Sequence, residues 1–245
     1  MADRENVLLE RGFVLHQRPY RNTSQLIECV TANHGRVGLV ARGSRGDRGS
    51  RRALLQPFVP LRLSWTRRGE LGTLTDVEPD GAPAALTGEA LLAAYYANEL
   101  VLRLVPRGDP NEAVFSCYSD CLSNLAASSV PRALRLFELR FLRALGYGLE
   151  LEHEIETGEP LRPDGRYLYD LEHGPKSVED RVDGEHVYSG RALLALGRET
   201  LDDEESLRAA RRLLGGILTG HLGGRPLKSR EVLKDIVVKV GVRAL

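Results

Sequence analysis

From Gly12 to Leu74 the apolar residues come in short alternating runs, each closed by a turn former. Gly12 to His16, Gln25 to Thr31, Gly35 to Ala41, Leu54 to Leu61, Arg62 to Trp65 and Glu70 to Leu74 have the period of two that puts alternate side chains on opposite faces of a strand. Pro19, Asn33-His34-Gly35 and Arg67-Arg68-Gly69 punctuate them. Five or six strands in about seventy residues leave raw sheet edges unless the sheet closes, so the pattern predicts a small barrel or an OB-fold. An SH3-like barrel fits the same spacing. A small barrel of this kind presents one face and its loops to single-stranded nucleic acid.

Between the third and fourth runs lies Arg42 to Arg52, which carries Arg42, Arg45, Arg48, Arg51 and Arg52 against one acid, Asp47. Gly43, Gly46 and Gly49 remove helix propensity, which predicts a loop whose charge is open to a polyanion. Guanidinium groups pair with phosphate oxygens through planar donors, and counterion release drives the association. The chain's net charge of zero conceals a polarity: residues 1–75 hold thirteen Arg against six Asp or Glu, a net of +7 balanced by −7 in the remainder. The basic third is the expected anion-binding part, with Arg18, Arg36, Arg67 and Arg68 added to the loop arginines as candidate DNA contacts.

After Pro79, Gly81 and Pro83 the period changes to that of helices. Thr87 to Val105 is apolar over most of its circumference and is expected to be a central, largely buried helix ending at Pro106-Arg107-Gly108. Asn111 to Ala127 is a second helix. In a third, reaching Leu145 with Gly146 as its cap, Leu134, Phe137, Phe141 and Leu145 form the apolar stripe. Arg132, Arg135, Arg140 and Arg143 are expected on its opposite, solvated arc. Glu150 to Glu185 holds twelve acids against four basic residues and reads as an irregular insertion with short strands near Arg166 to Tyr169. Helical pattern resumes at Ser189 to Leu194 and from Asp203 to Leu222, where Leu207, Leu214, Ile217 and Leu218 face inward and Arg208, Arg211 and Arg212 do not. A last helix is expected from Ser229 to about Lys239.

Catalytic chemistry finds little purchase. Cys117 and Cys121 have a helical spacing that could serve one metal, but Cys29 supplies no second pair, so buried small apolar residues are the expectation. Asp164, Glu172 and Lys176 resemble a metal-dependent nuclease motif loosely, with the wrong acid-to-lysine spacing. There is no phosphate-binding P-loop and no G-x-S-x-G elbow. Without an N-terminal apolar segment or a run long enough to span a bilayer, the reading is cytoplasmic and nucleoid-associated, with reduced thiols and no membrane partner.

Longer strings carry more than periodicity can. Gly12-Phe13-Val14-Leu15-His16-Gln17-Arg18-Pro19-Tyr20, His34-Gly35-Arg36-Val37-Gly38-Leu39-Val40-Ala41-Arg42-Gly43, Leu55-Gln56-Pro57-Phe58-Val59-Pro60-Leu61, Asn98-Glu99-Leu100, Phe137-Glu138-Leu139 with Leu145-Gly146-Tyr147, and Leu222 to Arg230 occur in order over nearly the whole chain. Together they resemble the bacterial recombination mediator family RecO. The resemblance implies an α+β chain with an N-terminal OB-fold at 1–80 and a mainly helical domain at 81–148 and 187–245. Many members carry two C-x-x-C pairs that bind zinc; here residues 149–186 stand in that place without a cysteine, so zinc is not expected. It also implies no catalytic turnover and no cofactor. Implied instead are base-independent binding of single- and double-stranded DNA, annealing of complementary strands, and partnership with RecR. The remaining implied steps are docking on the acidic C-terminal tail of single-stranded-DNA-binding protein and help in loading RecA. The tail-binding pocket would use Arg132 and Arg135 of one helix with Arg208 and Arg212 of another.

Overall fold

The computed structural model describes residues 5–44, 50–179, 184–229 and 232. They form two compact units, one running from the N terminus to Ala127 and joined by the segment from Leu227, the other from Ser128 to Pro226. These cuts differ from the expected division at residues 80, 148 and 186, because two long helices cluster with the strands.

In the first unit, β1 (Glu5–Tyr20), β2 (Ser24–Thr31), β3 (Gly35–Ala41), β4 (Pro60–Arg67) and β5 (Leu71–Pro79) close into a barrel of order β1-β2-β3-β5-β4. All pairings are antiparallel except β3 with β5. That order, closed by a parallel first-half-to-second-half pairing, is the OB topology and not the SH3-like one. β1 begins at Glu5, well before the expected start at Gly12. Its first half pairs with β4 and its second with β2, and the charged Glu5 and Glu10 disguise the alternation there. Gly12 stands at the crossover, where a Cβ would come within 2.9 Å of Leu63 and 3.0 Å of the Val30 carbonyl. Val14, Ile27, Cys29, Leu39, Leu55, Leu61, Leu63 and Trp65 fill the interior. Burial raises the Cys29 thiol well above its ordinary pKa, so it behaves as a core residue.

The expected strand from Leu54 to Leu61 is absent. Ser50–Leu54 is a short helix, α1, and Leu55 drops into the barrel core. Pro57 bridges to Val14, and Phe58 takes φ +70, a conformation that costs an aromatic residue strain and ends any strand there.

Two helices pack on this barrel. α2 (Gly88–Leu104) stops where Pro106 cannot continue it, and α3 (Glu112–Ala127) starts at Asn111, whose Oδ1 accepts from the Val114 N–H at 3.1 Å. α2 is less buried than its composition suggests, since Tyr95 is exposed and Leu91, Leu92, Leu102 and Leu104 are half-buried. Its buried face is tied by polar bonds: Asn98 donates to the Leu15 carbonyl at 2.8 Å and accepts from the Tyr118 hydroxyl at 2.5 Å. Next along, Glu99 accepts from the N–H groups of Lys228 and Ser229 at 3.0 and 2.9 Å and from the Ser229 hydroxyl at 2.8 Å. The rest of the expected Ser229–Lys239 helix lies, Val232 aside, outside the described residues.

The second unit holds α4 (Val130–Ala144), α5 (Gly190–Gly197), α6 (Glu204–His221) and a sheet of order β7-β6-β8. Its strands are β6 (Arg166–Asp170), β7 (Gly174–Ser177) and β8 (Val187–Ser189), so the acidic segment contains the short strand expected near Tyr167 and one more, with β8 directly after it. Asp203 caps α6 by accepting from the Ser206 N–H at 2.8 Å. In α6, Leu213 is buried and Leu207 only half-buried, a rotation of the inward face from the expected one. From Ala133 to Leu142 every residue of α4 except Arg140 is buried, which makes α4 the central helix of its unit.

Candidate nucleic-acid interface

The register of the barrel decides which arginines can share a ligand. Arg18 stands opposite Leu26 on β2, and one step further Gln25 stands opposite Ala41, the residue before Arg42. Arg18 and Arg42 therefore lie at the same end of three adjacent strands. Gly43 at φ +70 turns the chain out of β3, and the buried Ser44 hydroxyl donates to the Ala41 carbonyl at 3.0 Å, fixing the root of the arginine loop. Arg52 on α1 is brought to this end by Gln56, which donates to the Arg52 carbonyl at 2.8 Å and accepts from Gln17 at 3.0 Å. Arg18, Arg42 and Arg52 are exposed, and none pairs with a carboxylate among the described residues. Arg45 and Arg48 lie outside the described residues, as does the side chain of Arg51.

The other three expected contacts are elsewhere. Arg68, exposed and likewise without a carboxylate among the described residues, sits in the β4–β5 turn just before Leu71, whose register partner on β3 is Gly38 and not the Arg42 end. Arg67 is held by Glu5, with Nε and Nη2 each 2.7 Å from Oε2. Arg36 lies 3.4 Å from Glu28. Burial lowers its pKa, with Glu28 opposing and Arg107 adding.

Glu28 also takes both donors of Arg107, the residue that sequence reasoning treated only as part of a helix stop. This pairing raises the Arg107 pKa against its partial burial. The Arg107 guanidinium lies on the backbone of Gly38, where a Cβ would come within 3.2 Å of its Cζ. Gly108 donates to the Arg36 carbonyl at 2.8 Å. At Gly35, φ +63, a Cβ would overlap the Asp109 carbonyl at 1.9 Å. The outer face of β2 and β3 at this end is thus covered by the α2–α3 turn, and Arg36 and Arg67 serve the barrel's own cohesion. The only sequence signal for this was glycine at 35, 38 and 108.

On the second unit the arginines behave differently from the expected solvated arc. Arg135 is buried: Nη2 donates to Glu138 Oε1 at 2.9 Å, and Nε lies 2.8 Å from Oε2 without hydrogen-bond alignment. Its carboxylate partner, three residues on, is 1 % exposed. The reason is that α4 is enclosed on nearly all sides, so a cation there needs a counter-ion on the same helix. Arg132 donates to the Glu199 carbonyl at 3.3 Å and lies 3.6 Å from Asp202. Arg140 and Arg143 hold the Glu199 carboxylate at 2.6 and 3.2 Å, fixing a residue whose φ is +60. Arg212 donates to the Val187 carbonyl at 2.6 Å and covers the Tyr188 ring at 4.3 Å. Arg208 is exposed on α6 and pairs with Glu204 one turn back at 2.9 Å.

The acidic segment's carboxylates are also engaged locally. Asp164 pairs with Arg162 at 2.8 Å and Lys176 with Glu156 at 2.5 Å, so the residues of the loose nuclease motif face their own neighbours. Among the described residues no group of three or more His, Cys, Asp or Glu could hold a metal ion, and no helix is long and apolar enough to cross a membrane. Cys29, Cys117 and Cys121 are buried thiols.

Comparison with known proteins bears on both units. The sequence model of the family described as Recombination protein O N terminal matches residues 6–81, and that described as Recombination protein O C terminal matches residues 85–231. Three proteins named DNA repair protein RecO are similar over nearly their whole length. The one from Nitrosococcus oceani is 49% identical over 94% of each chain, and the one from Methylococcus capsulatus is 44% identical over 96% of each. The one from Azoarcus sp. is 39% identical over 97% of this chain and 99% of its own.

Proposed function

This chain belongs to the RecO family of DNA repair proteins, and from that premise we propose that it is a non-enzymatic recombination mediator whose barrel holds DNA by its phosphates. The observation that carries the reading is the grouping of Arg18, Arg42 and Arg52 at one end of an OB barrel, exposed and without carboxylate partners among the described residues. An OB surface with unpaired guanidinium groups suits a sugar-phosphate chain of any sequence, because nothing in it depends on base edges. The sequence between Arg42 and Arg52 holds Arg45, Arg48 and Arg51 as further candidate phosphate contacts. Neutralising two strands on one surface lowers the repulsion that opposes their approach, which is the physical basis for annealing.

The helical unit is the proposed receiver of the acidic C-terminal tail of single-stranded-DNA-binding protein, with RecR as the other protein partner and RecA loading as the outcome. A tail that ends in carboxylates needs reachable cations beside an apolar hollow. Arg208 fits that role on exposure, Arg132 is half-buried beside Asp202, and Arg135 would act through Glu138 and the packing of α4.

The test is a titration of labelled single-stranded DNA at several salt concentrations. Replacing Arg45, Arg48, Arg51 and Arg52 together is expected to flatten log affinity against log salt by about 0.7 for each phosphate no longer neutralised. An unchanged slope would remove the loop from the DNA site. Arg208→Ala is expected to weaken an acidic tail peptide while leaving naked-DNA binding intact. Equal loss of both would mean one shared basic surface.

A further inference from the structure

The root of the arginine loop contains a hydrogen-bonded row that no charge argument uses. Gln25 Nε2 donates to Gln17 Oε1 at 2.8 Å, Gln17 Nε2 donates to Gln56 Oε1 at 3.0 Å, and Gln56 Nε2 donates to the Arg52 carbonyl at 2.8 Å. The row crosses four pieces of chain: β2, β1, the segment after α1, and α1 itself. Its direction is set at one end. A backbone carbonyl can only accept, so Gln56 must turn its amide nitrogen toward Arg52 and its oxygen toward Gln17. Gln17 must then donate, and its own oxygen is left to receive Gln25. The polarity therefore ends on Gln25 Oε1, a buried acceptor with no hydrogen-bond partner among the described residues.

Such an arrangement has a cost. A buried amide oxygen without a partner is unfavourable, and the row keeps it so that all three amides point at α1. The segment that carries Gln56 is rigid on both sides. Leu55 is fully buried in the barrel core, and Phe58 is buried at φ +70 with its ring edge-on to Tyr95 at 5.0 Å. α1 itself has only five residues, too few to hold its own geometry, and the Arg52 carbonyl is among the last four, which an α-helix leaves without an intrahelical partner. The amide of Gln56 gives it one.

We infer that Gln17, Gln25 and Gln56 form a one-way amide relay that positions α1, and with it the exposed Arg52, beside Arg18 and Arg42 for a phosphate backbone. These are positioning residues: Gln17 and Gln56 act on DNA through Arg52, and Gln25 holds Gln17 in its donating orientation. The inference rests on the reading that this end of the barrel binds DNA.

The experiment uses the full chain and a labelled oligothymidine titrated over a range of salt. Gln17→Met and Gln56→Met keep side-chain length without amide donors or acceptors and without new charge. Gln56→Met leaves the Gln25–Gln17 pair in place, so it reports even if Gln17→Met disturbs the barrel. Each is expected to weaken binding about three- to tenfold and to shallow the salt slope by about 0.7, one phosphate's worth, and Gln56→Met to leave the melting temperature unchanged. In combination with Arg52→Ala neither is expected to weaken binding further, because both act through the same guanidinium. If Arg52→Ala lowers the slope while the glutamine variants match the parent, or if the effects add, the relay is refuted and the DNA site stands. If Arg52→Ala leaves both affinity and slope at parental values, α1 is not part of the DNA site, and the relay falls with that assignment.

Discussion

The two units use arginine in opposite ways. On α4, Arg132, Arg135, Arg140 and Arg143 all reach acceptors of their own unit: Arg135 pairs with Glu138, and the others converge on the loop at Glu199. At the open end of the barrel, Arg18, Arg42 and Arg52 reach no carboxylate among the described residues. The same residue type is structural where it meets a carboxylate during folding and available where it does not. Within the barrel the rule holds again, since Arg36 and Arg67 are paired with Glu28 and Glu5 while Arg68 has no carboxylate among the described residues. Counting arginines along the chain therefore overstates the DNA site, and register corrects it.

That contrast can be broken most sharply at Arg135. Arg135→Ala takes the paired guanidinium away from the buried Glu138, and the expected loss is about 3–5 kcal/mol by urea unfolding. A double change, Arg135→Met with Glu138→Leu, is expected to recover most of it. If Arg135→Ala costs under about 1 kcal/mol, the pair is not the structural element described.

A smaller effect is expected at Glu99, which joins α2 to Lys228 and Ser229. Burial would raise this carboxyl, but the N–H groups of Ser229 and Lys228, the Ser229 hydroxyl and Arg103 outweigh it and leave the pKa below its ordinary value. A depressed folded-state pKa means a contribution that is present above the unfolded pKa and lost as pH falls through the folded one. Glu99→Gln is expected to cost about 1–2 kcal/mol at neutral pH and to reduce the acid-side loss of stability relative to the parent. Identical acid limbs for the two proteins would contradict the assignment.

Glu199→Gln keeps the strained backbone but removes the charge that Arg140 and Arg143 share. Both pairs are partly exposed, so the expected loss is about 1 kcal/mol, read from the same unfolding curves. Arg208→Ala, which removes an exposed pair within one helix, is expected to cost about 0.3 kcal/mol. A larger loss there than at Glu199 would reverse the ranking of structural and available arginines.

Much of this was legible in the sequence. Alternation located all five barrel strands, β1 only in its middle, and capping and proline signals placed α2 through α6 to within a few residues. What failed had local causes. The Leu54–Leu61 run is apolar because Leu55 plugs the barrel and Phe58 packs on Tyr95, and neither role requires a strand. Arg135 was assigned to a solvated arc on the premise that a helix has one apolar stripe; α4 is buried around almost its whole circumference, and the acid three residues on was the missed signal. Of the candidate DNA contacts, sequence grouped nine by charge alone. Sorting Arg36 and Arg67 from Arg18, Arg42 and Arg52 needed Glu28 and Glu5, which come close only when the barrel closes.

The most direct measurement is the salt dependence of single-stranded DNA binding for two sets of substitutions in the full chain. Removing Arg18, Arg42 and Arg52 together is expected to lower the slope of log affinity against log salt by about 2, at about 0.7 per phosphate, while Arg140→Ala with Arg143→Ala leaves it at the parental value. The reverse pattern, a parental slope without the three barrel arginines and a reduced one without the two on α4, would contradict the account.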